Sequence, residues 1–466
     1  MNNNNKTLVI VGGGITGLSA AYHAITQAAV EGEDLRVQVL DASSRPGGVI
    51  ETVRRDGFLW EGGPDSFITD KPAALQLAQE LGLTSQIVGT NKEFQQSFVA
   101  RNGRLHPTPE GFYLLAPTKM GPLFRTKILS WPGKIRAAME LLVPPRKTNN
   151  DESLASFVRR RFGREVLERL AQPMVAGIYS ADPETLSLQA TFPRFLEMES
   201  RGGVIRNMLA TRRRPAAVPQ GTSGPRYGLF ATFQGGVGTL VEAIMARLPP
   251  DVYRPRCQVT RLEKRGPSWR LTINGNEHVE ADAVVLAVSA PQAARLVGEF
   301  DNGLASLLAQ TPYGDVATVN VAVRTDRLNH PLNGFGFVVP AVENKTVTGC
   351  TFSSVKFSGR APAGYALLRA FVGGPAVHES DGNLMSRVTA DLREYLGLKG
   401  SPEWVEIRRY LGSMPHYTLG HVARTERAMA RAANHPGLRL AGNGYRGIGL
   451  PDCIHSGAPV KSLGPI

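Results

Sequence analysis

The stretch "VIVGGGITGLSAAYHAITQAA", residues 9–29, decides the fold. The apolar run at 7–11 reads as a short, fully buried strand. Gly12, Gly14 and Gly17 come next as G-x-G-x-x-G, and the Ala-rich sequence after them predicts a helix with Leu18, Ala21, Tyr22 and Ile25 on one face. The first glycine permits a tight turn and the second lets backbone approach a pyrophosphate. The third draws helix and strand together, and the helix N-terminus turns free N–H groups and a positive dipole end toward phosphate. Three glycines also fit an ordinary turn, so the next strand carries the reading. "LRVQVLD" (35–41) alternates and ends on Asp41, 24 residues after Gly17. That lies near the roughly 20-residue separation expected of an acid bonding an adenosine ribose. Strand, turn, helix and strand-ending acid together predict a Rossmann-type dinucleotide site.

The residues after Asp41 separate one dinucleotide from another. In "ASSRPGGVIETVRRDGFLWEGGPDSF" (42–67), Arg45 with Gly47 and Gly48 makes a second glycine turn, which places a guanidinium within reach of a pyrophosphate. Asp56-Gly57 marks a hairpin, and "EGGPDSF" (61–67) is a third loop built for close approach. This sequel resembles the FAD-binding half of the amine oxidase and protoporphyrinogen oxidase superfamily, in which the R-x-G-G turn carries the flavin pyrophosphate. At the other end of the chain, "LRLAGNGYRGIGLPDCIHSG" (438–457) gives a strand, a glycine-dense loop and a helix start. Such a loop can aim N–H groups at an isoalloxazine ring. Holding one ligand from both chain ends implies a discontinuous domain, with middle pieces at 227–248, 257–264 and 281–291.

The resemblance then narrows. "GGGITGLSAAY", "GGPDSF", "PTKMGP", the block 141–193, "GFGFVV", "SMPHYTLGH" and "GIGLPDCI" resemble the oxygen-dependent porphyrinogen oxidases of haem synthesis over nearly the whole chain. "QQSFVARNGRLHPTPEGF" (95–112) is closer to the soluble bacterial type, which oxidises coproporphyrinogen III; the mitochondrial type carries an arginine where this chain has Ser97. The resemblance implies FAD held by Gly12, Gly13, Gly14, Ile15, Thr16, Gly17, Asp41, Ala42, Arg45, Gly48 and Val49. It adds Gly63, Pro64, Asp65 and Ser66, then Val259 (through its backbone), Gly442, Ile448, Gly449 and Leu450. It implies hydride transfer from a methylene bridge to flavin N5, three times per macrocycle, with dioxygen going to hydrogen peroxide. Aromatisation drives that reaction, so positioning should outweigh acid–base catalysis. No catalytic side chain and no metal is expected, and CxxC, HExxH and GxSxG are absent from the sequence.

The substrate cavity should offer apolar walls and cations for propionates. Lys71 matches a lysine of the soluble type and is expected either to face a carboxylate or to lie at an exposed helix start. Phe337 alternates with glycines on an apparent strand and is expected either at the macrocycle or in the core. His416 and His421 are expected to orient loops near the flavin by hydrogen bonds more than to act as bases. The chain has 466 residues with 53 Lys+Arg against 40 Asp+Glu, a net charge of +13 that favours anionic partners. The runs "VRRRFGR" (158–164) and "RRRP" (212–215) read as solvated helix faces or loops, and no nucleic-acid partner is expected. Cys257, Cys350 and Cys453 are far apart, so neither a disulfide framework nor a zinc site is expected.

The expected fold is α/β (α+β overall): a discontinuous Rossmann-type FAD-binding domain, a mixed-sheet substrate domain and a helical lid domain. The divisions are 1–70, 226–298 and 436–466 for FAD, 71–100 and 299–435 for substrate, and 101–225 for the lid or a membrane-facing domain. The segment 212–228 reads as a mobile loop, and Pro459, Gly464 and Pro465 argue against helix beyond Ala458. With no signal peptide and no run of about 18 apolar residues, a cytoplasmic protein is expected. The expected surroundings are the peripheral inner face of a membrane, transient contact with the next haem-pathway enzyme, and a monomeric or homodimeric state. Protoporphyrinogen IX oxidation, amine oxidation and a non-catalytic flavin-binding role are the alternatives.

Overall fold

The computed structural model describes residues 6–117, 119–148, 150–213 and 229–458. The apolar strand Lys6–Val11 lies at the centre of a five-stranded parallel sheet. The order across this sheet is Tyr253–Arg254, Leu35–Leu40, Lys6–Val11, Ala283–Leu286 and Leu438–Leu440. A parallel strand covered on both faces must be apolar at successive positions, and Leu8, Val9 and Ile10 are each 0% exposed. The beginning, middle and end of the chain therefore meet in one sheet, which makes this half discontinuous in sequence.

One face is covered by the helices Ile15–Glu31, Gly238–Met245 and Leu450–Gly457, joined by Ala73–Glu80. The opposite face packs on the antiparallel strands Val259–Arg265, Ser268–Ile273 and Glu277–Ala281 and on the helices Ala290–Val297, Asn302–Ala309 and His421–Ala432. Three helices assigned from sequence to the substrate domain thus pack on the nucleotide-binding half. Leu75, Leu77 and Ala78 belong to the same apolar core as Leu450 and Ile454, whereas Leu304, Ala428 and Ala432 join the core beneath Val284 and Leu286.

A second, mixed sheet has seven strands in the order Trp404–Pro415, Tyr313–Arg324, Tyr365–Gly373, Val347–Phe352, Gly336–Val338, Ser97–Arg101 and Arg104–Pro107. It is mixed because Gly336–Val338 pairs parallel with Ser97–Arg101. Alternation gives it two characters. Val319, Val321, Leu368 and Ala370 face Leu384, Val388 and Leu392 of the helix Asp381–Leu396, while Thr318, Asn320 and Arg369 reach toward the loop at 61–63. The strand parity overturns the substrate reading of Phe337. This ring is 3% exposed and packs on Phe352 and Tyr395, with centroids 6.1 and 5.4 Å away, on the helix-covered face. Its neighbour Val338 takes the other face and meets the helical layer.

That helical layer, between residues 120 and 213, has its own core of Phe157, Phe162, Leu170 and Val175. The basic run at 158–164 is only partly solvated. Arg159 is exposed, but Arg161 is 0% exposed and pairs with Glu140 and Glu199. Glu140 also accepts from the N–H groups of Val204, at 2.8 Å, and Ile205, at 3.2 Å. The expected loop is described only up to residue 213, and the chain after Ala458 likewise lies outside the described residues. The Asp56-Gly57 hairpin is present between Thr52–Arg55 and Phe58–Glu61, with φ of 52° and 79° at the turn.

Removing one member of a buried ion pair leaves the other uncompensated. Glu140→Ala should therefore lower stability by about 3–5 kcal/mol, seen as a fall in the denaturant midpoint of the purified protein.

Candidate functional site

A cleft of about 590 Å³ opens where the strands Lys6–Val11 and Leu35–Leu40 end. Of the residues expected to hold the cofactor, Gly12, Gly13, Gly14, Ile15, Thr16, Asp41, Ala42, Gly48, Val49, Val259 and Gly442 line it. The glycines have different duties. A Cβ on Gly17 would stand 1.9 Å from the Gly12 carbonyl oxygen, so Gly17 is required by helix–strand contact. Gly12 adopts φ +105°. A Cβ on Gly14 would meet no protein atom within 4 Å and would project into the opening. Gly14 also caps the helix Ile15–Glu31 without any side-chain bond to the cap, and the first turn carries no acid. The positive end of that helix is left for a ligand.

Asp41 is buried and accepts from the Ser43 N–H at 2.9 Å and the Tyr253 hydroxyl at 3.2 Å, which fix its carboxylate at the cleft edge. The second glycine turn docks on the first through the Gly47 N–H, 2.8 Å from the Gly13 carbonyl. Arg45 is placed differently from its expected role. Its guanidinium donates to the carbonyls of Ile50, at 2.7 Å, and Gly48, at 3.0 Å, and so fastens the turn.

The third loop packs behind that turn, where a Cβ on Gly63 would lie 1.8 Å from the Val49 carbonyl. Three successive carbonyls of this loop are taken by the seven-stranded sheet. Asn320 Nδ2 donates to Glu61 at 3.0 Å, Thr318 Oγ1 to Gly62 at 2.7 Å, and Arg369 to Gly63. Asp65 lies 3.1 Å from Lys356 and accepts from Ser66 at 2.7 Å. Burial works to raise the Asp65 carboxyl, but Lys356 and Arg369 outweigh it and hold the group well below the usual carboxylate range. Burial pushes Glu61 up to about 7, against bonds from Thr52 and the Val237 N–H. Gly63 thus backs Val49 of the cleft wall, and Pro64, Asp65 and Ser66 follow it half-buried.

At the C-terminal end, the Gly442 N–H donates to Ser456 Oγ at 2.9 Å. Ile448 packs on the helical layer, and Gly449 caps the helix Leu450–Gly457, whose Leu450 is buried. Lys71 has a partner already. Its ammonium lies 2.7 and 2.8 Å from the two oxygens of Asp452, in the first turn of that helix, so it is not a free cation for a substrate carboxylate. His421 donates from Nε2 to the Tyr445 carbonyl at 2.9 Å and stacks on Tyr417 with centroids 4.0 Å apart. Burial lowers His421 and His416 from the ordinary histidine value. His421 ties the start of its helix to the loop at Tyr445 through that bond.

Tyr253, Tyr313, Gln292, Lys356 and Arg369 were not legible locally. Tyr313 and Gln292 also line the cleft; the Tyr253 strand is two residues long, Arg369 reaches the loop through strand pairing, and Lys356 reaches it from the short helix Ser353–Lys356. Among the described residues no cluster of His, Cys, Asp or Glu is arranged to hold a metal.

A wall with a void at Gly14, a helix N-terminus, a fixed acid on the neighbouring strand and a glycine loop from the far end of the chain fits a bound dinucleotide. Residues 15–459 match the family of flavin containing amine oxidoreductases. This chain belongs to that family. Its cofactor is FAD, and it is an oxidoreductase. It is 36% identical to a coproporphyrinogen III oxidase of Bacillus subtilis, over 99% of this chain and 98% of that one. It is 32% identical to the chloroplastic protoporphyrinogen oxidase 1 of Arabidopsis thaliana, over 96% and 85%. A crystal structure from Exiguobacterium sp. 255-15 carrying the name protoporphyrinogen oxidase superposes with TM-score 0.86 at 33% identity, covering 97% of each chain. A UDP-galactopyranose mutase shares the fold at 17% identity, TM-score 0.72, over 98% and 94%.

Gly14→Val fills the void in the wall. The purified variant should lack flavin absorbance near 450 nm (roughly where oxidised flavin absorbs) while its far-ultraviolet circular dichroism stays native. The lowered His421 and His416 predict a pH dependence with a definite sign. Below 6.5 the unfolded chain takes up protons that these rings refuse, so their contribution to stability is full above 6.5 and is lost as pH falls. Denaturant midpoints measured between pH 7.5 and about 5 should fall, and His421→Phe should flatten the slope.

Proposed function

We propose that this flavoenzyme oxidises a porphyrinogen to its porphyrin in haem synthesis, with coproporphyrinogen III as substrate and dioxygen as oxidant. The observation that carries the reading is the full-length match to bacterial coproporphyrinogen III oxidases, of Bacillus subtilis at 36% identity and Staphylococcus aureus at 33%. When bound, FAD supplies a two-electron acceptor for hydride and hands the electrons on to oxygen.

The chain's own contribution is to hold and to position. Gly12 to Thr16 give backbone and a helix N-terminus to the pyrophosphate, and Asp41 takes a ribose hydroxyl. Ala42, Gly48, Val49, Val259 and Gly442 line the remaining walls, while Arg45 and the loop from Gly63 to Ser66 brace them. The Ile448–Leu450 turn sets the C-terminal loop against the lid. Phe371 takes the wall position expected of Phe337. It is half-buried and pairs in register with Thr318, on the sheet face whose Thr318 bonds Gly62. The net charge of +13 suits a substrate with four carboxylates better than one with two.

The protein acts in the cytoplasm, docked by the helix Trp131–Ala138 and the turn after it on the inner face of a membrane. Trp131 is 65% and Leu142 79% exposed, and the exposed Lys127, Arg146 and Lys147 flank them. No helix among the described residues is long and apolar enough to cross a bilayer. A monomer or homodimer that passes its product directly to the next enzyme of the pathway completes this reading.

The match to plant protoporphyrinogen oxidases favours a second reading, protoporphyrinogen IX as substrate. Anaerobic mixing with each porphyrinogen separates the two. Faster bleaching of the flavin by coproporphyrinogen III is expected, and a preference for protoporphyrinogen IX would transfer the assignment.

A further inference from the structure

Behind the loop that backs the flavin cleft, cations outnumber carboxylates. Lys356 Nζ lies 3.1 Å from Asp65 Oδ2 and 3.1 Å from Ser66 Oγ, and Arg369 Nη1 lies 3.8 Å from the same carboxylate oxygen. Arg369 is buried, at 5% exposure, and Lys356 and Asp65 are half-buried, at 13% and 17%. Arg360, also buried, donates to the carbonyls of Phe233 and Gln234 at 2.9 and 3.0 Å and acts on Glu61 and Asp65. Lys356, Arg360 and Arg369 therefore stand against Asp65 and Glu61, so that even with both carboxyls ionised one positive charge is in excess. The adjacent pair Arg408 and Glu51, 2.8 Å apart, cancels itself.

The surroundings keep this excess from being screened. Lys356 Nζ lies 5.0 Å from the Phe357 ring centroid and 5.4 Å from that of Phe230, and the Arg369 guanidinium lies 4.8 Å from that of Phe371. Arg369 Nε is buried and has no hydrogen-bond partner. The Gly63 carbonyl that takes the Arg369 guanidinium belongs to a loop whose Gly63 packs directly on Val49 of the cleft wall. A fixed charge at such a place acts through protein of low dielectric and needs no reorganisation to do so.

We infer that the Lys356–Asp65–Arg369 cluster sets the reduction potential of the bound flavin, with its excess positive charge favouring the reduced form. Hydride leaving a substrate carbon carries an electron pair to the neutral ring system and brings it one negative charge; the accompanying substrate proton goes to water. A buried positive charge lowers the free energy of that state and leaves the oxidised, neutral one unaffected. Lys356 is a positioning residue for charge, its ammonium held by Asp65 and Ser66. This inference rests on the flavin assignment and not on the identity of the substrate.

The test is the flavin midpoint potential of the purified holoenzyme, measured anaerobically against a reference dye with no porphyrinogen present. Lys356→Met removes the excess charge and should lower the potential, shifting the oxidised-to-reduced ratio at least tenfold, about 30 mV for a two-electron couple. Lys356→Arg should restore it. Asp65→Asn removes a negative charge and should move the potential the other way. A structural role would not produce shifts of opposite sign, so equal, absent or same-direction shifts in Lys356→Met and Asp65→Asn overturn the inference. An unchanged potential with a raised KM for coproporphyrinogen III would also overturn it, and would make Lys356 a carboxylate anchor. If Lys356→Met does not fold, a potential for Asp65→Asn at or below that of the parent protein is sufficient to refute it.

Discussion

Between the carbonyl oxygen of Gly12 and the α-carbon of Gly17 there is no room for a methyl group, and much of the molecule depends on that contact. It seats the helix Ile15–Glu31 on the strand Lys6–Val11 closely enough for the helix N-terminus to point into a cleft, not into packed side chains. The same helix then packs against the helix Leu450–Gly457 from the other end of the chain, where a Cβ on Gly457 would lie 2.4 Å from the Thr16 carbonyl. Two close approaches, both between backbones, bring the termini of the chain to one ligand site.

The loop from Glu61 to Ser66 is the second point on which the architecture turns. It carries no regular structure past the strand Phe58–Glu61, yet its carbonyls are bonded in succession from Asn320, Thr318 and Arg369. Those three side chains alternate with the apolar residues that face the helix Asp381–Leu396. One sheet therefore supplies a hydrophobic core on one side and a polar clamp for the cofactor loop on the other. The carbonyls need donors once they are shut away from water, and one of the three donors, Arg369, also brings a positive charge to this loop.

The fold alone does not choose the chemistry. A UDP-galactopyranose mutase and a cyclohexylamine oxidase from Brevibacterium oxydans share it at 17% and 16% identity. What narrows the choice is agreement along the full chain with relatives of the same length, including the helical layer that closes over the second sheet. That layer is held by a charge network in which Arg161, Glu140, Glu152 and Glu199 are buried and Arg160 is half-buried. Such a network suits geometric specificity more than stability.

Taken alone, the amino-acid sequence determined the nucleotide-binding turn, the acid on the next strand and the hairpin at Asp56-Gly57. Each of these is written in local spacing: glycines where backbones touch, alternation where a strand is half covered, an acid where a strand ends. The tertiary structure decided the partners of charged and aromatic side chains. Lys71 meets Asp452, Arg45 meets carbonyls of its own turn, Arg161 is buried against Glu140 and Glu199, and Phe337 faces a helix. A side chain's partner depends on strand parity and on segments hundreds of residues away, and neither is encoded in the few residues around it.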